Sequence, residues 1–212
     1  MDGVGVPAAL RAESARLYDM LSGLPEAEWD RPTRCGPWAV PWSVRELVAH
    51  VTEVLGEAPA PPPAQIAVTR GQVLADGFDR AWRTVDPPSR TPSWLTARLL
   101  TVTVHGFDLA EALGHPPWTT AEAAAATEAL LEGGRLTGVR RTRGVPPQPV
   151  RLPDPERTAY LRRATGRLPL DEAERAVAAT RGRFPLSPRW CPCPDLSGDR
   201  PETAGTPAAR QR

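Results

Sequence analysis

Lysine and asparagine are absent from this chain of 212 residues, isoleucine occurs once, at Ile66, and methionine only twice. All 26 basic residues are therefore arginine. Such a bias is what a GC-rich genome produces, and it weakens any claim that one arginine was chosen over lysine for its planar fork. Surplus charge is missing as well: 26 basic residues face 25 acidic ones, for a net charge of +1. That balance leaves no electrostatic footprint for nucleic acid or a membrane surface. No apolar run approaches ~20 residues, and the N-terminus lacks the basic-then-apolar order of a signal peptide. The expectation is a cytoplasmic protein. The three cysteines are odd in number and irregular in spacing, which does not describe a disulfide framework. Cys191-Pro-Cys193 has no second cysteine pair, so no zinc site is expected in that proline-rich stretch. A nucleophile elbow, a phosphate-cradling glycine loop, a dinucleotide fingerprint and an HExxH motif are all missing.

What is present is helical periodicity. Trp42–Leu55 reads WSVRELVAHVTEVL. Ser43 and Glu46 form a capping box, and Trp42 and Leu47 can close a hydrophobic staple across it. Val44, Leu47, Val48, Val51, Val54 and Leu55 then recur on one face. His50 lies about 60° from Leu47 and about 40° from Val54 around the helix, at the edge of that apolar stripe. Leucines at 10, 17, 21 and 24 mark a first helix over Pro7–Leu24. The proline-rich stretch Ala58–Ala64 excludes helix, and apolar spacing predicts a third helix over about 65–85. A fourth is expected over Ser93–Leu113, with Gly114 in the C′ position. Thr119-x-x-Glu122 opens an alanine-rich helix to about Leu131. Arg135–Val150 reads as a loop, with two short helices around a TGRLPL turn at Pro155–Thr165 and Asp171–Thr180. The fold expected is an all-α four-helix bundle over 1–132, a C-terminal loop and helical extension over 133–185, and a disordered tail over 186–212.

On the fourth helix Arg98, Thr101, His105 and Asp108 are spaced 3, 4 and 3 apart and form one polar line. Composition favours reading that line as a solvent-facing edge. The sharper reading turns it toward a cleft opposite His50, where Asp108 would orient the ring of His105. His115, followed by Pro116, is expected at the surface. Cys35 is either a small buried apolar residue or a thiol near the cleft, and the buried reading is favoured because no charged partner for it can be identified.

EWDRPTRCGPWAVPWSVRELVAHV resembles the N-terminal signature of the mycothiol-dependent maleylpyruvate isomerase-like family, within the DinB-type metal-binding four-helix-bundle superfamily. VHGFDLAEALG (Val104–Gly114) is similar to that family's second landmark, and TGRLPL to the C-terminal part of some members. The resemblance implies a divalent metal, usually zinc, held by a histidine on the second helix and a Glu-x-x-x-His pair on the later one. His50 matches the first ligand and His105 the last, but the glutamate position is Thr101, a poor ligand beside a carboxylate. The activity implied is a metal-assisted, mycothiol-dependent isomerase or transferase acting on a small electrophilic metabolite. His50 and His105 would hold the metal, Asp108 would orient His105, and Arg98 would pair with a substrate carboxylate. A second expectation is a metal-free member that uses its pocket for isomerisation, cyclisation or ligand binding. A third is an interaction bundle with Arg135–Arg143 as its contact surface. The partner expected is a small molecule, and the oligomeric state a monomer or weak homodimer.

Overall fold

The fold is built around one helix whose C-terminal half is buried nearly all the way round. Every side chain from Leu99 to Ala110 is buried, as a helix must be when no face is left for water. The computed structural model describes residues 5–35, 41–56, 59, 61–132, 154–170, 172 and 175. Among them are seven helices and no strand: α1 Gly5–Ser22, α2 Val44–Gly56, α3 Pro63–Val68, α4 Gly71–Arg83, α5 Pro92–Leu113, α6 Ala121–Glu132 and α7 Asp154–Ala164. Helices α1, α2, α4 and α5 pack together as the bundle, and α6 lies on α1 and α5 with α7 behind it. The all-α expectation holds. The 186–212 tail, the loop 135–150 and the Asp171–Thr180 helix lie outside the described residues, apart from residues 172 and 175. Among the described residues no helix is long and apolar enough to cross a membrane.

Capping places the helices. Ser43 N–H donates to Glu46 Oε2 at 2.7 Å and Glu46 N–H to Ser43 Oγ at 3.3 Å, the reciprocal box expected at the start of α2. Gly114 takes φ 69° and ends α5 in a Schellman motif, with His115 N–H on Ala110 O and Gly114 N–H on Glu111 O. At α6 the cap falls one residue later than expected: Thr120 Oγ1, not that of Thr119, accepts Ala123 N–H at 3.2 Å. The second half of that box comes from another helix. Glu13 on α1, almost fully buried, accepts Thr120 N–H at 2.9 Å, and its other oxygen finds no partner. Burial pushes the Glu13 carboxyl up to about 7, against the hydrogen bonds from Thr120 and the nearby Arg16 charge, which pull it down.

The expected third helix is two. Thr69 and Arg70 are extended, and the break has a cause that lies elsewhere in the chain. Buried Arg45 on α2 bonds Asp30 at 2.7 Å and Glu26 at 2.5 Å, and also donates to Thr69 O. Glu26 in turn accepts Gly71 N–H. Two backbone groups are drawn out of the helix to satisfy a buried guanidinium and its carboxylate. Helix α3 also begins inside the stretch from which proline was expected to bar helix, because Pro63 stands in its first turn, where no N–H is needed. Gly71 is required by close approach: a Cβ there would run into the indole of buried Trp29.

Two outcomes follow. Gly71→Ala should cost about 1–3 kcal/mol through overpacking against Trp29 and lower the melting temperature accordingly. Because Glu13 is raised in the folded state, its contribution to stability is full below about pH 4.5 and lost as pH rises through about 7. Urea titrations between pH 5 and 8 should show Glu13→Gln gaining on the parent protein as pH rises; a constant difference would refute the assignment.

Candidate functional site

The polar line of α5 points inward. Thr101, His105 and Asp108 are fully buried, so the expectation of a solvent-facing edge fails. The bundle needs every side of α5 covered, and the line falls under the loop that precedes α2. That loop is folded back on itself: Thr33 N–H donates to Trp42 O at 2.7 Å, Trp42 N–H to Cys35 O at 2.6 Å, and Pro32 and Ser43 form an isolated β-bridge. The closure sets Cys35 over α5. Its thiol donates to Asp108 Oδ2 at 2.9 Å and its sulfur lies 3.5 Å from His105 Nδ1. Cys35 is only partly buried and two charged or titratable partners stand beside it, so the expectation of a buried apolar residue gives way to that of a thiol near the cleft.

Asp108 is the hub. His105 Nδ1 lies 3.1 Å from Asp108 Oδ2. Arg167 forks onto the same carboxylate, Nε on Oδ1 at 3.0 Å and Nη2 on Oδ2 at 2.9 Å. Burial alone would raise Asp108, but the His105 bond and the Arg167 fork and charge override it and hold the carboxyl well below the usual range. Burial pushes the Cys35 thiol up; His105 pulls against it, while the Asp108 charge adds to the rise. The resting thiol is protonated and donates.

Arg167 reaches Asp108 because α7 ends in a second Schellman motif. Gly166 takes φ 75°, Gly166 N–H bonds Arg163 O and Arg167 N–H bonds Arg162 O. Arg34 Nη1 donates to Arg167 O at 2.9 Å and ties this turn to the Cys35 loop. The sequence reading did not name Arg167. Its one local signal is Thr165-Gly166 directly after a helical stretch, which marks a chain reversal but not its destination.

On its other side His105 meets His50. The two ring centroids are 5.9 Å apart, edge to face, and Trp42 packs on His50 at 4.8 Å. His50 is mostly buried, with Glu53 Oε2 4.0 Å from its Nδ1. Two imidazoles sharing a tetrahedral zinc at about 2.0–2.1 Å per bond stand about 5.2 Å apart, so the spacing suits a common ion. The charge does not. Thr101 turns its hydroxyl to Ala97 O at 2.9 Å and supplies no anionic ligand. Cys35, His105 and Asp108 form a separate group whose ligand atoms all lie within 4.8 Å of one another, and these three could hold a metal ion. Arg98 sits two turns before His105, about 10.5 Å along the axis, with its guanidinium over the Trp94 ring at 4.6 Å. His115 is at the surface, as expected.

A helical domain with a buried Cys–His–Asp group and two facing histidines defines the class, a small bundle with metal-binding potential. Residues 10–77 match the family model of the mycothiol maleylpyruvate isomerase N-terminal domain. The chain is also similar to the uncharacterized proteins MT0041 and Rv0036c of Mycobacterium tuberculosis, strains CDC 1551 / Oshkosh and H37Rv. Each is 30% identical over 145 residues, covering 50% of this chain and 56% of the relative. The chain thus spans about half the length of the curated relatives it matches. No solved structure matches.

The Asp108–Arg167 pair gives a direct test of the site's construction. Arg167→Met leaves a buried carboxylate without its fork and should cost about 3–5 kcal/mol in urea unfolding. Adding Asp108→Asn should recover part of that loss, whereas additive costs would show that the two side chains do not act together.

Proposed function

We propose that the chain is a metal-assisted, thiol-dependent isomerase or transferase acting on a small electrophilic metabolite, with mycothiol as the candidate thiol. The observation that carries the reading is the placement of His105. It is buried, fixed by Asp108 through Nδ1, and flanked by Cys35 and His50, both of which lie within residues 10–77 that match the family model. A carboxylate that accepts the ring N–H of a histidine is the arrangement that orients metal-ligating imidazoles.

When bound, a divalent ion supplies the Lewis acidity that holds a small thiol as thiolate at neutral pH, and such a thiolate isomerises an activated double bond by adding, allowing rotation and leaving. The chain's own contributions are positional. Asp108 fixes the ring of His105, Arg167 fixes Asp108, and Trp42 fixes His50. Burial of His105 and Asp108 on α5 keeps these groups from water, which strengthens each electrostatic contact. Thr101 supports a second reading, a metal-free pocket in which His50 and His105 give acid–base help to an isomerisation or cyclisation.

Metal content separates the two. Mass spectrometry of the full chain purified without chelator should give near one divalent ion per chain, lost in His105→Ala, with turnover that requires added mycothiol. Turnover indifferent to mycothiol while the ion is in place would overturn the thiol-dependent reading. A metal-free chain that still turns over substrate would establish the second.

A further inference from the structure

We infer that the ion sits on the Nδ1 side of His105, held by Cys35 Sγ, His105 Nδ1 and Asp108 Oδ2, with Cys35 standing in for the carboxylate that Thr101 does not supply. This rests on the metal-assisted reading above but, in place of the two-histidine set, turns Asp108 from the acceptor that orients the His105 ring into a ligand once an ion displaces the Nδ1 hydrogen.

Charge decides first. His50 and His105 offer two neutral nitrogens, and the hydroxyl of buried Thr101 is spent on Ala97 O. A divalent ion placed there gains no anionic ligand from these three residues, with Glu53 Oε2 lying 4.0 Å from His50 Nδ1, and poorly paired buried charge is heavily penalised. Cys35 and Asp108 bring two negative charges to an ion, of which the Arg167 guanidinium offsets one.

Spacing agrees. Zinc bonds of about 2.3 Å to sulfur and about 2.0–2.2 Å to nitrogen and oxygen put tetrahedral ligands about 3.4–3.6 Å apart. Sγ and Nδ1 are 3.5 Å apart, Nδ1 and Oδ2 3.1 Å, and Sγ and Oδ2 2.9 Å. Only the last pair must open appreciably, and Cys35 is on a loop while Asp108 is on a helix, so the sulfur can give way. Arg167 Nε holds Oδ1 and its Nη2 lies 2.9 Å from Oδ2, the oxygen that also meets the sulfur and the ring, so an ion would share Oδ2 with one arm of the guanidinium fork.

The protons balance. The Cys35 S–H hydrogen leaves to solvent as the S–metal bond forms, and the His105 hydrogen moves from Nδ1 to Nε2, so one proton is released per ion bound. Three protein ligands leave a fourth position for an exogenous thiol or water, as catalytic zinc sites do. Thiolate selects zinc or cobalt over magnesium or manganese.

The test uses the full chain carrying Cys191→Ser and Cys193→Ser, so that Cys35 is the remaining thiol, stripped of metal and titrated with Co(II) and then Zn(II). Expected are one equivalent bound, an intense near-ultraviolet thiolate-to-cobalt band, and about one proton released per ion in weak buffer. The band is read without touching Cys35, so it stands even if a Cys35 variant folds poorly. Zinc affinity should fall at least about 100-fold in Cys35→Ser and change little in His50→Gln, taking the 10–100-fold loss known for outer ligand-supporting groups as the floor. Binding without the cobalt band, lost in His50→Gln and kept in Cys35→Ser, would overturn the Cys35 assignment and leave the metal-assisted reading standing. No binding of either ion would overturn that reading and this assignment with it.

Discussion

A carboxylate buried in the middle of a central helix costs several kcal/mol unless donors surround it, and around Asp108 they come from three parts of the chain. His105 is one turn earlier on the same helix, Cys35 is on the loop before α2, and Arg167 is on the turn after α7. Satisfying this one charge therefore fixes where the N-terminal loop closes, how the His105 ring is turned, and where the C-terminal helix stops. The Arg34 bond to Arg167 O joins the two outer arms directly. The site and the attachment of the C-terminal segment to the bundle share the same physical origin.

A second buried charge does comparable work at the start of α2. Arg45 gathers Glu26, Asp30 and the Thr69 carbonyl, and in doing so cuts one helix into α3 and α4. In the stretch that resembles the family signature, then, Arg45 and Glu46 serve structure, closing a junction and a cap, while Cys35 and His50 are the residues set beside His105. Glu13 completes the pattern by capping α6 from α1. Each of these polar contacts ties together elements far apart in sequence, and each excludes slipped arrangements that an apolar core alone would tolerate.

The helices were legible because periodicity is local. Apolar residues on α2 and α5, the Ser43/Glu46 box and Gly114 all act within a turn or two of themselves, and the structure shows them where the pattern put them. Thr101, missing at a position where a carboxylate ligand is implied, was also legible, because an absence needs no tertiary information. The inward turn of the α5 polar line was not. A line of Thr, His and Asp reads the same whether water or protein faces it, and what buries it is a loop some 70 residues earlier.

By itself the sequence determined an all-helical chain, the start of α2 and the end of α5, and the presence of His50, His105 and Asp108 on faces that could meet. Tertiary structure alone decided which charged groups pair. That choice is set by the desolvation cost of buried charge, which is paid or avoided only when the bundle closes, and no local spacing encodes it. Cys35 and Arg167 lie 132 residues apart and converge on Asp108 for that reason.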